Sequence, residues 1–275
     1  MKIIDTHQHF WNYNPAHHQW IDDSMAVIQR NFLPTDLAPV LTENGVDGCI
    51  AVQVDQTVEE TKWMLSLAAE HAFIKGVVGW IDLCSEDVQQ QLEEFTQFEL
   101  LKGFRHILQG EEPSFMLQPE FIRGIKLLAQ YGYTYDILVF PKHLDAVLSF
   151  LQQCPDQPFI IDHLAKPLVA EGKIAGWKEK MQAIARHPNV CCKVSGLVTE
   201  ADWKNWTPQQ IRPYLDAVVE YFGMDRLLFG SDWPVCLVAA SYAQWLQVVK
   251  DYFGAFSADE QEKIFSQNAQ RFYRV

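Results

Sequence analysis

The segment Ile3-Ile-Asp-Thr-His-Gln-His-Phe-Trp11 decides the fold. Its β-branched start predicts a strand over Ile3–His7, and the chain then runs into D-T-H-Q-H without a glycine. An open dinucleotide-binding sheet needs a glycine fingerprint at this first turn, so that backbone can approach a phosphate. None lies between Asp5 and Trp11. A closed barrel is the better expectation.

Outward from that segment, short apolar runs recur at Gly48–Val54, Gly76–Ile81, Gly103–Ile107, Thr134–Val139, Phe159–His163, Val190–Ser195 and Leu227–Gly230. With the first strand this makes eight units of roughly 34 residues, enough for a βα repeat. The stretches between them read as helices. Thr57–His71 sets Val58, Trp63, Leu65, Leu67 and Ala68 among charged residues. Glu120–Tyr131 places Phe121, Ile122, Ile125, Leu128 and Ala129 at helical spacing, with Gly132 as its stop. Ser257–Tyr273 opens with S-A-D-E, a capping box before one amphipathic helix. Strands alternating with helices imply a parallel sheet. The expectation is a single α/β domain over residues 1–275, a TIM-like (β/α)8 barrel.

Composition narrows the function. Hydrophobic residues at 48% and charged residues at 21% exclude a disordered chain. A net charge of −13 argues against nucleic acid, whose phosphates call for clustered Lys and Arg. No run reaches the roughly 18–20 apolar residues of a membrane span, and the N-terminal stretch meets Asp5 before any apolar core of a secretory signal. Six cysteines without a C-x-x-C pair do not form a disulfide framework; Cys191 and Cys192 fall in a buried strand, and a reducing, cytoplasmic setting is expected. Oligomeric state is not encoded in any pattern of the chain.

In a (β/α)8 barrel the chemistry belongs at the carboxyl ends of the strands. Polar residues gather there: His7 and His9 after the first strand, Arg105 and His106 after the fourth, His163 and Lys166 after the sixth, Asp232 after the eighth. His7 and His9 are two apart, so an extended strand projects both from one face. A lone pair of this kind is more often structural; with His163 and Asp232 at the same rim, a shared site is favoured. Asp232 reads either as a helix cap or as a buried acid able to take a proton from water. Neighbours on a strand point oppositely, so one of Arg105 and His106, and one of Asp162 and His163, should enter the cavity. His163 is favoured in the second pair, and the first is open. Gln53, Asp136, Lys193 and Ser195 are weaker lining candidates. Trp11, Trp80 and Trp233 stand at strand ends, either as a stacking wall for a sugar-like ring or as apolar filler.

Together, D-T-H-x-H-F-W, D-H-x-A-K-P and G-S-D-W-P resemble the amidohydrolase superfamily, and more narrowly its lactone-hydrolase branch of sugar lactonases and pyrone dicarboxylate lactonase. The resemblance runs from Asp5 to Pro234 and is specific in combination. It implies a distorted barrel that hydrolyses a cyclic ester, with family positions matched by His7, His9, His163 and Asp232. Superfamily members with one or two metals usually add a fifth-strand His and a fourth-strand Lys or Glu. Here the fifth strand reads T-Y-D-I-L-V and the fourth ends in Arg105-His106. The resemblance therefore implies at most one divalent ion, zinc, on His7, His9, His163 and Asp232, with metal-free catalysis as the alternative.

The function expected is the opening of a small lactone by water that Asp232 activates, with His163 as a second catalytic group. Arg105, His106, Gln53, Trp80, Lys166 and Trp233 are the substrate-binding candidates. Arg105, Lys166 and Lys193 would suit an acidic lactone; an aromatic wall and Gln53 would suit a neutral sugar lactone, which is preferred. Two alternatives stand beside it: a superfamily decarboxylase or hydratase acting on an unsaturated dicarboxylate, and a barrel that binds a metabolite without turnover.

Overall fold

A computed structural model describes residues 1–275. Its eight strands are β1 (Ile4–Gln8), β2 (Gly48–Val52), β3 (Ile74–Gly79), β4 (Leu101–His106), β5 (Thr134–Ile137), β6 (Phe159–Ile161), β7 (Val190–Val194) and β8 (Leu227–Phe229). All neighbouring pairs are parallel and follow chain order. Closure comes at the mouth: Gln8 bridges Trp233, His9 N–H donates to the Trp233 carbonyl at 2.7 Å, and Asp232 N–H donates to the His7 carbonyl at 2.8 Å. The barrel is thus sealed by residues that flank the candidate site.

Helices α1 (Pro34–Asn44), α2 (Val58–Glu70), α3 (Val88–Phe95), α4 (Pro119–Gln130), α5 (Leu144–Gln153), α6 (Trp177–Ile184), α7 (Pro208–Phe222) and α8 (Tyr242–Phe253) alternate with the strands. The expected helices over 57–71 and 120–131 are α2 and α4. Thr57 caps α2 by accepting from Glu60 N–H, and Gly132 ends α4 with φ +74°. No helix is long and apolar enough to cross a membrane. All six cysteines are free.

Two local irregularities position the site. Between Asp5 and Gln8, three steps along β1 match two along β2, so a bulge shifts the strand's facing. Ile4 joins the floor of the barrel with Ile50, Val52, Val78, Ile160 and Leu228, while His7 and His9 reach the mouth. The second irregularity corrects the single C-terminal helix expected over 257–273. That segment is α9 (Ala258–Glu262), a wide turn over Lys263–Gln267 with one extra residue per hydrogen-bonded ring, and α10 (Asn268–Tyr273). Ala269 and Tyr273 then plug the barrel floor, and Asn268 donates to the carbonyls of Met224 and Leu227 at the entry to β8.

Candidate active site

His7, His9, His163 and Asp232, scattered over 226 positions of chain, converge at the mouth as the strand-end rule requires. Asp232 Oδ1 lies 3.4 Å from His9 Nε2, 3.7 Å from His163 Nε2 and 3.9 Å from His7 Nε2. Asp232 is buried with φ +59°, and its carboxylate caps no helix. Burial alone would raise its pKa, but His163 and His9 hold it below the ordinary carboxylate value, so the group is an anion ready to accept a proton. Burial keeps His7 and His163 well below the usual imidazole value, leaving both neutral.

The rings are fixed from behind. His9 Nδ1 lies 2.8 Å from the Val52 carbonyl, which can only accept, so Nδ1 carries a proton and Nε2 is the ring atom turned toward Asp232. His163 Nδ1 lies 2.8 Å from the Ser195 hydroxyl. Glycines admit these rings: a Cβ on Gly196 would fall 2.5 Å from His163 Nδ1, and one on Gly230 would fall 2.8 Å from His7 Cβ.

Strand alternation correctly separates Arg105 from His106 but fails for Asp162 and His163. Arg105 faces the cavity. Its Nη1 donates to Asp162 Oδ2 at 3.2 Å and lies 3.2 Å from His7 Nε2, and its Nη2 donates to the Gln53 carbonyl and to Gln53 Oε1. Its Nε is buried without a partner. His106 instead lies outside the cavity wall, taking a hydrogen bond from Trp80 Nε1, facing Glu111 and stacking on Phe115. On the sixth strand His163 lines the cavity, as favoured, and Asp162 lies beneath it on the same inner side, because β6 ends at Ile161. From His163 to Lys166 four consecutive residues take φ between +49° and +57°. This left-handed turn carries His163 and Lys166 to the cavity while Asp162 stays inward beneath them. Each such non-glycine residue costs roughly 1–2 kcal/mol, strain of a kind that concentrates at functional sites.

Below the histidines lies a layer of buried charge. Lys193 Nζ contacts Asp136 Oδ2 at 2.5 Å, Asp162 Oδ1 at 2.9 Å and His7 Nδ1 at 3.1 Å. Tyr273 donates to Asp136 Oδ2 from the floor. Burial would raise Asp162, yet Lys193 and Arg105 hold it below its ordinary value; Asp136 is pushed up by burial to about 6. Lys193 and Asp136 therefore support the site from underneath rather than line it.

The cavity above has a volume of about 470 Å³. His9, Arg105, His163, Lys166 and Asp232 line it, but four other candidates do not. Gln53 is buried and spent on Arg105; Trp80 is spent on His106; Trp233 packs edge-on against Phe32 and Phe10 in the core. Trp11 is buried too, donating to the Arg30 carbonyl. The large aromatic side chains that do line the cavity are Trp20, Phe140 and Trp203, all from loops. One sequence signal points to part of it: the stretch between β1 and α1 is far longer than the usual 2–6 residues of such a loop. Glu200 and Gln109, which also line the cavity, follow no strand-end pattern.

The donor set fits one divalent ion. His7, His9 and Asp232 offer ligand atoms that all lie within 4.8 Å of one another, and His163 Nε2 stands 3.7 Å from Asp232 Oδ1 as a further nitrogen at the edge of that group. Zinc bonds of 2.0–2.1 Å at tetrahedral angles set ligands roughly 3.3 Å apart, close to the separations found. A second group, His7, Asp162 and His163, already has the Lys193 ammonium against its carboxylate.

A closed parallel barrel with a His-X-His pair on its first strand and a buried Asp after its eighth is the architecture of an amidohydrolase-type hydrolase. Residues 4–275 match the amidohydrolase family, and the chain belongs to it. It is 38% identical to the L-fucono-1,5-lactonase of Burkholderia multivorans, across 99% of this chain and 96% of that one. It is 36% identical to the L-fucono-1,5-lactonase of Burkholderia ambifaria, across 99% and 95%. A crystal structure of an amidohydrolase from Burkholderia multivorans with bound zinc superposes with a TM-score of 0.97 at 38% identity, covering 100% of both chains.

Proposed function

We propose that this barrel hydrolyses a neutral sugar-acid lactone. The observation that carries the reading is the ionised Asp232 carboxylate, facing three imidazoles at 3.4–3.9 Å beside Arg105 at the mouth. Similarity to two proteins named L-fucono-1,5-lactonase supports the same reaction.

Asp232 accepts a proton from water as the water oxygen bonds to the ring carbonyl carbon. Negative charge passes to the carbonyl oxygen, where the Arg105 guanidinium, which lines the cavity with Asp232, supplies positive charge. Collapse of the tetrahedral centre breaks the ring C–O bond, and Asp232 returns its proton to the departing alkoxide. The product is a hydroxy acid. His163, held by Ser195, and His9, held by Val52, keep the acid oriented. If zinc is bound, His7, His9, His163 and Asp232 hold it, and it adds Lewis acidity toward the carbonyl.

The balance of charge favours a neutral lactone over an acidic one. Of the three cations that could attract a substrate carboxylate, Arg105 is paired with Asp162, Lys193 with Asp136 and Asp162, and Lys166 with Glu200 at 3.0 Å. A decarboxylase acting on an unsaturated dicarboxylate would meet the same deficit of free cations. A cytoplasmic setting is part of the reading, supported by six free thiols.

The test is acid release from a panel of neutral aldonolactones at fixed pH. Turnover of at least one, at kcat/KM of about 10⁴ M⁻¹s⁻¹ or above, is expected. Carbon dioxide release from unsaturated dicarboxylates, with no lactone opened, would replace this reading by the decarboxylase one. Saturable lactone binding without turnover would leave a non-catalytic barrel.

A further inference from the structure

We infer that the Lys166–Glu200 ion pair is the selectivity element of the cavity: it reads paired hydroxyl groups on the substrate and excludes lactones that carry a carboxylate. The inference rests on the lactonase reading and adds to it the residues that choose among lactones.

The pair is built from two loops. Lys166 ends the left-handed turn that also delivers His163, and its ammonium lies 5.4 Å above the Phe140 ring. Glu200 lies on the loop after β7, where its carbonyl accepts from Ala170 N–H at 3.0 Å. Both side chains are 17% exposed and both line the cavity. The Lys166 ammonium pairs with Glu200 and not directly with Asp232, on which it acts only as a more distant charge, so the pair is free to meet substrate groups other than the reacting carbonyl.

The chemistry follows from the pairing. A diol presents donors and acceptors side by side. Glu200 accepts from one hydroxyl while Lys166 donates to its neighbour, so the pair satisfies both without a net change of charge. Gln109 is a further polar residue lining the same cavity. Much of the remaining lining, including Met25, Leu138, Val235 and Val238, is apolar and suits the carbon face of the ring. A carboxylate in place of a hydroxyl finds Lys166 already neutralised and Glu200 repelling it at close range, where water screens poorly.

The experiment compares a neutral aldonolactone with the aldarolactone of the same ring, whose far end is a carboxylate. The wild-type chain should favour the neutral lactone by about tenfold or more in kcat/KM. In Glu200→Gln the preference should shift by about tenfold toward the aldarolactone, through a lower KM for the acid and a higher KM for the neutral lactone. The double variant Lys166→Met/Glu200→Gln should lose the gain on the acid. Should Glu200→Gln not fold, Lys166→Met alone reads the same pair: KM for the neutral lactone rises and the bias against the acid deepens. A folded Glu200→Gln protein, checked by thermal unfolding, whose preference stays within about twofold of wild type would overturn the inference. Failure of the wild-type chain to open any neutral lactone would instead sink the lactonase reading itself, which keeps the two failures apart.

Discussion

His9 turns Nε2 toward the Asp232 carboxylate at 3.4 Å, because its other ring nitrogen donates to the Val52 carbonyl. A proton on Nε2, or a cation between the two atoms, binds them together and favours the ionised carboxylate. Asp232 therefore gains most from whatever positive charge the reaction brings near it. Asp232→Asn should keep the fold and much of the lactone affinity while kcat falls about 10²–10⁴-fold, the usual worth of a general base. Steady-state kinetics beside a thermal melt separates the two effects; kcat near wild type would remove Asp232 from the proton-transfer role.

Arg105 ties Gln53, Asp162 and His7 together through one planar fork. A lysine keeps the charge but not the planar fork that addresses Gln53 and Asp162 from two different nitrogens. Arg105→Lys is expected to lose about 10²-fold or more in kcat/KM, and to melt lower because Asp162 loses the directed hydrogen bond of the guanidinium. A variant with full activity would show that the charge alone matters here.

Much of this geometry is readable in the chain because it follows the strand period. His7 and His9 share a face, and Arg105 and His106 divide between cavity and outer packing, as alternation requires. The same rule misleads at Asp162 and His163, since the strand stops at Ile161 and a run of positive φ replaces it. Nothing in D-H-L-A-K-P besides its tertiary surroundings favours a left-handed turn without glycine. Trp80 and Trp233 illustrate a second limit: a strand-end position does not reveal whether a neighbour, here His106 or Phe32, claims the ring first. Trp20, Trp203 and Glu200 sit on loops, whose course depends on contacts far apart in the chain.

Gly196 and Gly45 form a matched pair for testing the support of His163. Both have left-handed φ, +66° and +65°, but a Cβ on Gly45 meets nothing within 4 Å, whereas one on Gly196 lands 2.5 Å from His163 Nδ1. Gly45→Ala should cost about 1 kcal/mol through backbone strain alone and leave kcat unchanged. Gly196→Ala should cost more and also displace His163, lowering kcat by about tenfold or more. Equal kinetic effects in the two variants would mean that the ring position is not limiting.

Glu60 gives a stability readout independent of the chemistry. Burial pushes its pKa up to about 8, against the opposing hydrogen bonds from Asp55 and Val54 N–H. A carboxyl whose folded pKa is raised binds more protons folded than unfolded, so its contribution is greatest at low pH. It is lost as pH rises from about 4.3, the unfolded value, through about 8. One unit of displacement corresponds to about 1.4 kcal/mol, so part of this shift suffices for detection. Glu60→Gln keeps an acceptor for the loop but cannot ionise. Its melting temperature relative to wild type should rise between pH 6 and pH 9, conditions chosen to bracket the titration at roughly 8. A difference that stays flat with pH would show that Glu60 is ionised at no cost in the fold.

The metal count follows from Lys193. Its ammonium sits against Asp136, Asp162 and His7, so the carboxylates beneath the site already have their cation, and only the set around Asp232 offers acceptors without one. Elemental analysis of protein purified without chelator should find at most about one divalent ion per chain. Chelation of a loaded sample should then leave the fold intact, because Lys193 and Arg105 go on neutralising Asp162. Activity measured before and after chelation, and after zinc is restored, reports whether Arg105 and the imidazoles suffice alone. Two tightly held ions per chain would require Lys193 to leave Asp162, and would contradict the arrangement of charge derived for the floor of this site.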